Sequence, residues 1–223
     1  MNVIEQKRQV LPATNMSYHP VIRFIARVIS VIFHPLFIPV YVSWFLIYIY
    51  QIFPAFTGWD KSLLLIRFLV MYALFPLATI LLAKALGFVQ TIFLRNQKDR
   101  IIPYIACGLY YFWMWYVLKN QPQIPTEVVM FSLAIFLASS IGLILNIYMK
   151  VSMHALAVGV AVAFMLLLGF TTYLNLGPYI SITLLIGGLV CTSRLINSDH
   201  NPWEVYFGFA AGVLAQIIAY LFV

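Results

Sequence analysis

After a polar opening of nineteen residues, the chain becomes a succession of apolar stretches separated by short polar or turn-forming groups. The first stretch, 20–33, is short and carries Arg23 and Arg27 one helical turn apart among Val, Ile and Phe. That pattern predicts an amphipathic helix lying in a membrane interface, ended by His34-Pro35. Seven longer stretches follow, at 35–56, 62–88, 101–119, 127–149, 152–173, 178–195 and 202–223. Each approaches the ~20 residues a helix needs to cross a bilayer. Turn residues mark their ends: Thr57-Gly58, Asn120-Gln121-Pro122, Asn175-Leu176-Gly177-Pro178 and Asn201-Pro202. The predicted fold class is all-α, a polytopic membrane helical bundle of about seven transmembrane helices preceded by an interfacial helix. Residues 1–34 form the polar N-terminus and interfacial helix, and 35–223 the bundle. No soluble domain and no strong internal repeat is visible.

Composition agrees with that pattern. Of the 223 residues, 64% are hydrophobic and 9% charged, with a mean hydropathy of +0.97; soluble domains carry about 25% charged residues. Residues 1–18 lack the apolar core of a cleavable signal peptide, so the first hydrophobic helix is expected to act as the insertion signal. Cys107 and Cys191 both fall inside apolar stretches and read as small packing residues. The net charge of +7 sits mostly on Lys and Arg at the ends of apolar stretches, which points to topology and to anionic headgroups or substrates more than to nucleic acid. Lys7, Arg8, Arg23 and Arg27 put the N-terminus in the cytoplasm by the positive-inside rule. Seven crossings would then leave Val223 outside, and the expected location is the bacterial inner membrane. Arg23 and Arg27 carry this inference because they lie apart from the candidate chemistry.

Polar residues at the ends of the crossings gather in three clusters: Arg95-Asn96-Gln97-Lys98-Asp99-Arg100, Lys150-Val151-Ser152-Met153-His154, and 193–204. Two crossings separate each cluster from the next, and an even number returns the chain to the same face. All three therefore meet at one membrane surface. Together they offer Arg95, Lys98, Arg100 and Arg194 as cations, Ser152 and Ser193 as hydroxyls, and two imidazoles, His154 and His200, the latter beside Asp199 and Glu204. A phosphate needs guanidinium forks and hydroxyls on its non-bridging oxygens. Two histidines add a nucleophile and a general acid, with a carboxylate to fix the tautomer of the first.

The third cluster resembles the last signature of the type 2 phosphatidic acid phosphatase superfamily, Ser-Arg-x5-His-x3-Asp: here Ser193-Arg194, five residues, His200, three residues, then Glu204. Val151-Ser152-Met153-His154 is similar to that family's Pro-Ser-Gly-His, and the first cluster to a degraded Lys-x6-Arg-Pro. The resemblance covers roughly 95–212 and implies a phosphatase-like core over about 62–223. It implies a metal-independent hydrolase without cofactor, acting on a membrane lipid phosphate or isoprenyl (di)phosphate through a phosphohistidine. By position, His200 is the nucleophile, Glu204 its orienting carboxylate and His154 the acid; Arg194, Ser152 and Arg100 hold the phosphate, with Lys98 or Arg95 standing in for the missing lysine. The partner implied is a lipid with a phosphate headgroup.

The motifs also depart from the family. Glu replaces Asp at 204, Met153 replaces a glycine, and Phe93 stands at the lysine position. These changes keep a second reading open, a catalytically inactive scaffold or lipid-headgroup-binding subunit. A transporter is a third, weaker reading, without the paired broken helices of an inverted repeat. Several residues also have structural explanations. Asn201-Pro202-Trp203-Glu204 reads as a helix start with Glu204 in a capping box. Arg194 reads as a snorkelling helix-end cation, and Gly208-x-x-x-Gly212 as a helix-packing face. His19 and His34 read as interfacial residues outside the chemistry, and the aromatics from Tyr110 to Tyr116 as lipid-facing.

Overall fold

The computed structural model describes residues 18–89, 96–197 and 200–223. Among these the secondary structure is helical throughout: α1 (Pro20–Ile32), α2 (Ile38–Trp44), α3 (Gly58–Leu69), α4 (Phe75–Ala85), α5 (Gln97–Lys119), α6 (Thr126–Tyr148), α7 (Met153–Thr171), α8 (Gly177–Ile196) and α9 (Pro202–Phe222). Among the described residues, six helices are long and apolar enough to cross a membrane: Gly58–Ala85, which joins α3 and α4, and each of α5 to α9.

The stretch expected to form the first crossing holds a shorter apolar helix, Ile38–Ile49, in which α2 runs into a π-helical turn, Phe45–Ile49. The backbone explains the early stop. Gln51 takes a positive φ of 53°, a left-handed conformation that does not propagate, and Pro54 follows within a turn.

A second π turn, Val70–Leu74, links α3 to α4. Pro76 lies four residues beyond Tyr72 and has no N–H to give to its carbonyl, so the helix widens there. The Tyr111 hydroxyl of α5 donates to the Tyr72 carbonyl at 3.1 Å in its place. The Tyr72 hydroxyl in turn lies 2.6 Å from Ser132 Oγ on α6. One proline thus sets the register of three helices.

The centre of the bundle is built on α6, α7 and α9. Small residues let α7 and α9 approach to backbone contact: a Cβ at Gly208 would meet the Ser152 carbonyl, one at Gly212 the Leu156 carbonyl, and one at Gly159 the Phe209 carbonyl. The start of α9 therefore lies against the start of α7, and Ser152 N–H donates to the Glu204 carbonyl at 3.0 Å. At the same end, Gln97 and Asn146 exchange hydrogen bonds of 2.9 Å from each side-chain amide to the other's backbone carbonyl. This pins the start of α5 to the end of α6. The described parts of the three clusters are thereby gathered at one end of the bundle.

Helix α1 starts with Pro20 and His19, whose Nδ1 accepts from Val21 N–H. It packs along α8 through Ala26 and Ser30, both buried, and exposes Phe24, Ile25 and Val31.

Candidate functional site

His200 lies in the link between α8 and α9, immediately before the Asn201-Pro202 helix start. Its Nδ1 is 2.9 Å from Glu204 Oε2 and 3.0 Å from the Lys150 carbonyl. A carboxylate and a carbonyl only accept, so Nδ1 carries the proton and Nε2 presents its lone pair. Nε2 faces Arg100, whose Nη2 is 3.5 Å away. Arg100 is buried and held in place by an Nη1 bond of 2.7 Å to the Val151 carbonyl. Burial, then the charges of Arg100, Arg194 and Lys150, lower the His200 pKa from 6.5 to about 3. The ring is neutral at physiological pH, as a nitrogen nucleophile must be. Glu204 Oε2 also accepts from Asn201 N–H at 3.2 Å. One oxygen thus both caps the start of α9 and bonds the His200 ring.

The second imidazole belongs to His154, in the first turn of α7. Its Nε2 lies 3.0 Å from the carbonyl of Ser30 on α1, so that nitrogen is the protonated one. The Ser30 hydroxyl donates to the Ala26 carbonyl at 2.9 Å. Its lone pairs face Arg194 Nη1 at 3.4 Å and Asn197 Nδ2 at 3.3 Å, and Ser193 Oγ, which donates to the Val190 carbonyl, lies 3.2 Å away. The His34 ring meets that of His154 edge to face, with centroids 5.5 Å apart. Burial and the charge of Arg194 lower the His34 pKa to about 4, so it too is neutral.

Arg100, His154, Arg194 and His200 line one cavity of about 810 Å³. Glu204 stands behind His200, bonded to the nitrogen turned away from Arg100. The other expected phosphate ligands are placed differently. Ser152 is fully buried and is the N-cap of α7, its hydroxyl accepting from Ala155 N–H at 3.4 Å; it does not line the cavity. A hydroxyl at that position is explained by the helix start it caps. Lys98 is exposed on the first turn of α5 and does not line the cavity either. Arg95 lies outside the described residues, as does Asp199.

Three polar residues of the cavity wall come from outside the stretch that resembles the family: Arg27, Ser30 and His34. Arg27 therefore belongs to the same cationic end of the cavity as Arg194 and does not serve as a topology signal independent of the site. Arg27 and Ser30 lie one turn apart on α1 and His34 follows in the link after it; polar residues within an otherwise apolar stretch are the sequence signal for them. Tyr111, expected to face lipid with its aromatic neighbours, is buried and also lines the cavity. Among the described residues, no three His, Cys, Asp or Glu side chains group as a metal ion would require.

No family model, curated protein or solved structure matches this chain.

Proposed function

We propose that this protein is an integral membrane phosphatase that hydrolyses a lipid phosphate or isoprenyl (di)phosphate through a phosphohistidine. The observation that carries this reading is the His200 constellation: a neutral imidazole, oriented through Nδ1 by Glu204, with Nε2 directed at the buried Arg100 in a cavity also lined by Arg194 and His154. Nε2 would attack phosphorus while Arg100 and Arg194 hold the non-bridging oxygens. The bond from phosphorus to the leaving oxygen would break as His154 Nδ1, having taken the proton that a monoanionic phosphate group brings, hands it to that oxygen. With Nε2–H held by the Ser30 carbonyl, Nδ1 is the nitrogen that carries this proton. A water oxygen then attacks phosphorus while Nδ1 takes its proton, the bond from phosphorus to His200 Nε2 breaks, and phosphate leaves with the His200 lone pair restored.

Seven crossings belong to the same proposal. The link 33–37 lies at the cavity end, where His34 meets His154. At the other end of Ile38–Ile49, Tyr48 OH is 3.2 Å from Ser62 Oγ in the first turns of α3. The short helix and the segment 50–57 together carry the chain across. Helix α1 would lie in the interface with its exposed apolar side toward lipid.

The test is phosphate release by purified protein from phosphatidic acid, phosphatidylglycerol phosphate and isoprenyl diphosphates. We expect release by the wild type and none by His200→Ala, since no other cavity residue replaces a covalent nucleophile. Release unchanged in His200→Ala refutes the mechanism. No release by the wild type from any of the three refutes the enzyme and leaves a headgroup-binding scaffold.

A further inference from the structure

The cavity extends well beyond the polar residues. On α5 its wall is formed by Arg100, Pro103, Tyr104, Cys107 and Tyr111. These positions fall at i, i+3, i+4, i+7 and i+11, one continuous helical face. At 1.5 Å of rise per residue they extend about 16 Å from the guanidinium end. The opposite wall comes from α7, where His154 is followed by Ala157 and Val160. Ile135 and Ala138 of α6 close the side. Below His154 and Arg100 no ionic side chain lines this space. The Tyr111 hydroxyl is turned away to the Tyr72 carbonyl, which leaves its ring to the cavity. Small residues keep the channel open at mid-depth: Ala138 and Ala157 stand where bulkier side chains would fill it.

We infer that this face of α5, with Ala157 and Val160 of α7 and Ala138 of α6, is a hydrocarbon-chain channel that holds the substrate's tail inside the bundle, with Tyr111 as its floor. The inference rests on the phosphatase reading for the identity of the headgroup end. The occupant follows from continuity: a chain attached to a phosphate held by Arg100 and Arg194 has this apolar space directly beneath it, within helices long enough to span a bilayer. A tail moving from lipid into the channel gains no hydrophobic transfer energy, because lipid is as apolar as the wall. The channel therefore selects by length and width. One chain of a lipid fits to the depth of Tyr111 while a second chain stays in the bilayer, and a chain that must pass Tyr111 inside the channel does not fit.

The experiment uses the full chain in lipid nanodiscs and a non-hydrolysable probe, tetradecylphosphonate with a diazirine on its terminal carbon. After photolysis, adducts are mapped by peptide mass spectrometry. We expect adducts on Tyr111 and Cys107, and their loss in Ala157→Phe and in Ala138→Phe, two fillers on different helices. Outward-facing Leu109 and Trp113, both exposed, report labelling from bulk lipid and should be unchanged by either filler. Adducts confined to Leu109 and Trp113 in the wild type overturn the channel, and that result needs no variant to fold. Tyr111 adducts undiminished in a folded filler overturn it as well. Phosphate release without Tyr111 adducts rejects the channel and keeps the hydrolase. Tyr111 adducts without phosphate release keep the channel and reject the hydrolase.

Discussion

At the residue scale, the site is a set of side chains fixed by backbone groups. Glu204 and the Lys150 carbonyl fix His200, the Val151 carbonyl fixes Arg100, and the Ser30 carbonyl fixes His154. Ser30 has the widest reach, since its hydroxyl also faces Arg194 and Asn197. Ser30→Ala keeps the carbonyl on His154 but removes one acceptor of Arg194. We expect kcat/KM to fall about tenfold, the range of one hydrogen bond to a charged group, mostly through KM if Arg194 grips the phosphate before reaction. Ser30→Thr, which restores the hydroxyl, should recover most of the loss; a purely structural role for Ser30 would leave KM unmoved. The 193–204 cluster was legible because its members are close in sequence. Ser30 and Ser193 stand 163 residues apart, and no local spacing announces such a contact. Ser152 failed for the opposite reason: its hydroxyl has a local use, the N-cap of α7, that a motif match does not register.

At the scale of elements, the long apolar stretches were legible because length and hydropathy alone specify a bilayer-spanning helix. The interruptions were not. The break after Ile49 depends on one left-handed residue, Gln51, and the π turn before α4 on a proline inside an apolar run. The bond from Tyr111 to the Tyr72 carbonyl is the repair of that second interruption. Tyr111→Phe leaves a buried carbonyl without its donor, at a cost of about 1–3 kcal/mol. We expect a lower melting temperature in detergent. Because the ring remains as the channel floor, labelling of residues above it should persist. A melting temperature equal to wild type would show that the carbonyl finds another donor, and that the proline does not set the register through Tyr111.

At the scale of the whole molecule, the even-crossing argument and the packing of α1 together make a claim about sidedness. Two long helices separate each cluster from the next, and α1 reaches the same cavity through Arg27, Ser30 and His34. The end of α1, the site and Lys98 therefore share one end of the bundle whichever way the protein is inserted. With the seven crossings proposed above, Val223 would lie on the other. The absolute orientation now rests on Lys7, Arg8 and Arg23, because Arg27 belongs to the cavity wall. These three still favour a cytoplasmic N-terminus, which would place the proposed site toward the cytoplasm. Single-cysteine variants Ser17→Cys, Lys98→Cys and Val223→Cys, in a chain with Cys107 and Cys191 replaced by alanine, report each position to a membrane-impermeant maleimide in intact spheroplasts. We expect labelling at 223 alone. Labelling at 17 and 98 but not at 223 inverts the orientation and moves the chemistry to the outer face, with the site unchanged. Labelling at 17 and 223 alike removes the seventh crossing. Different behaviour at 17 and 98 would separate α1 from the catalytic end and refute the assembly of the cavity from both.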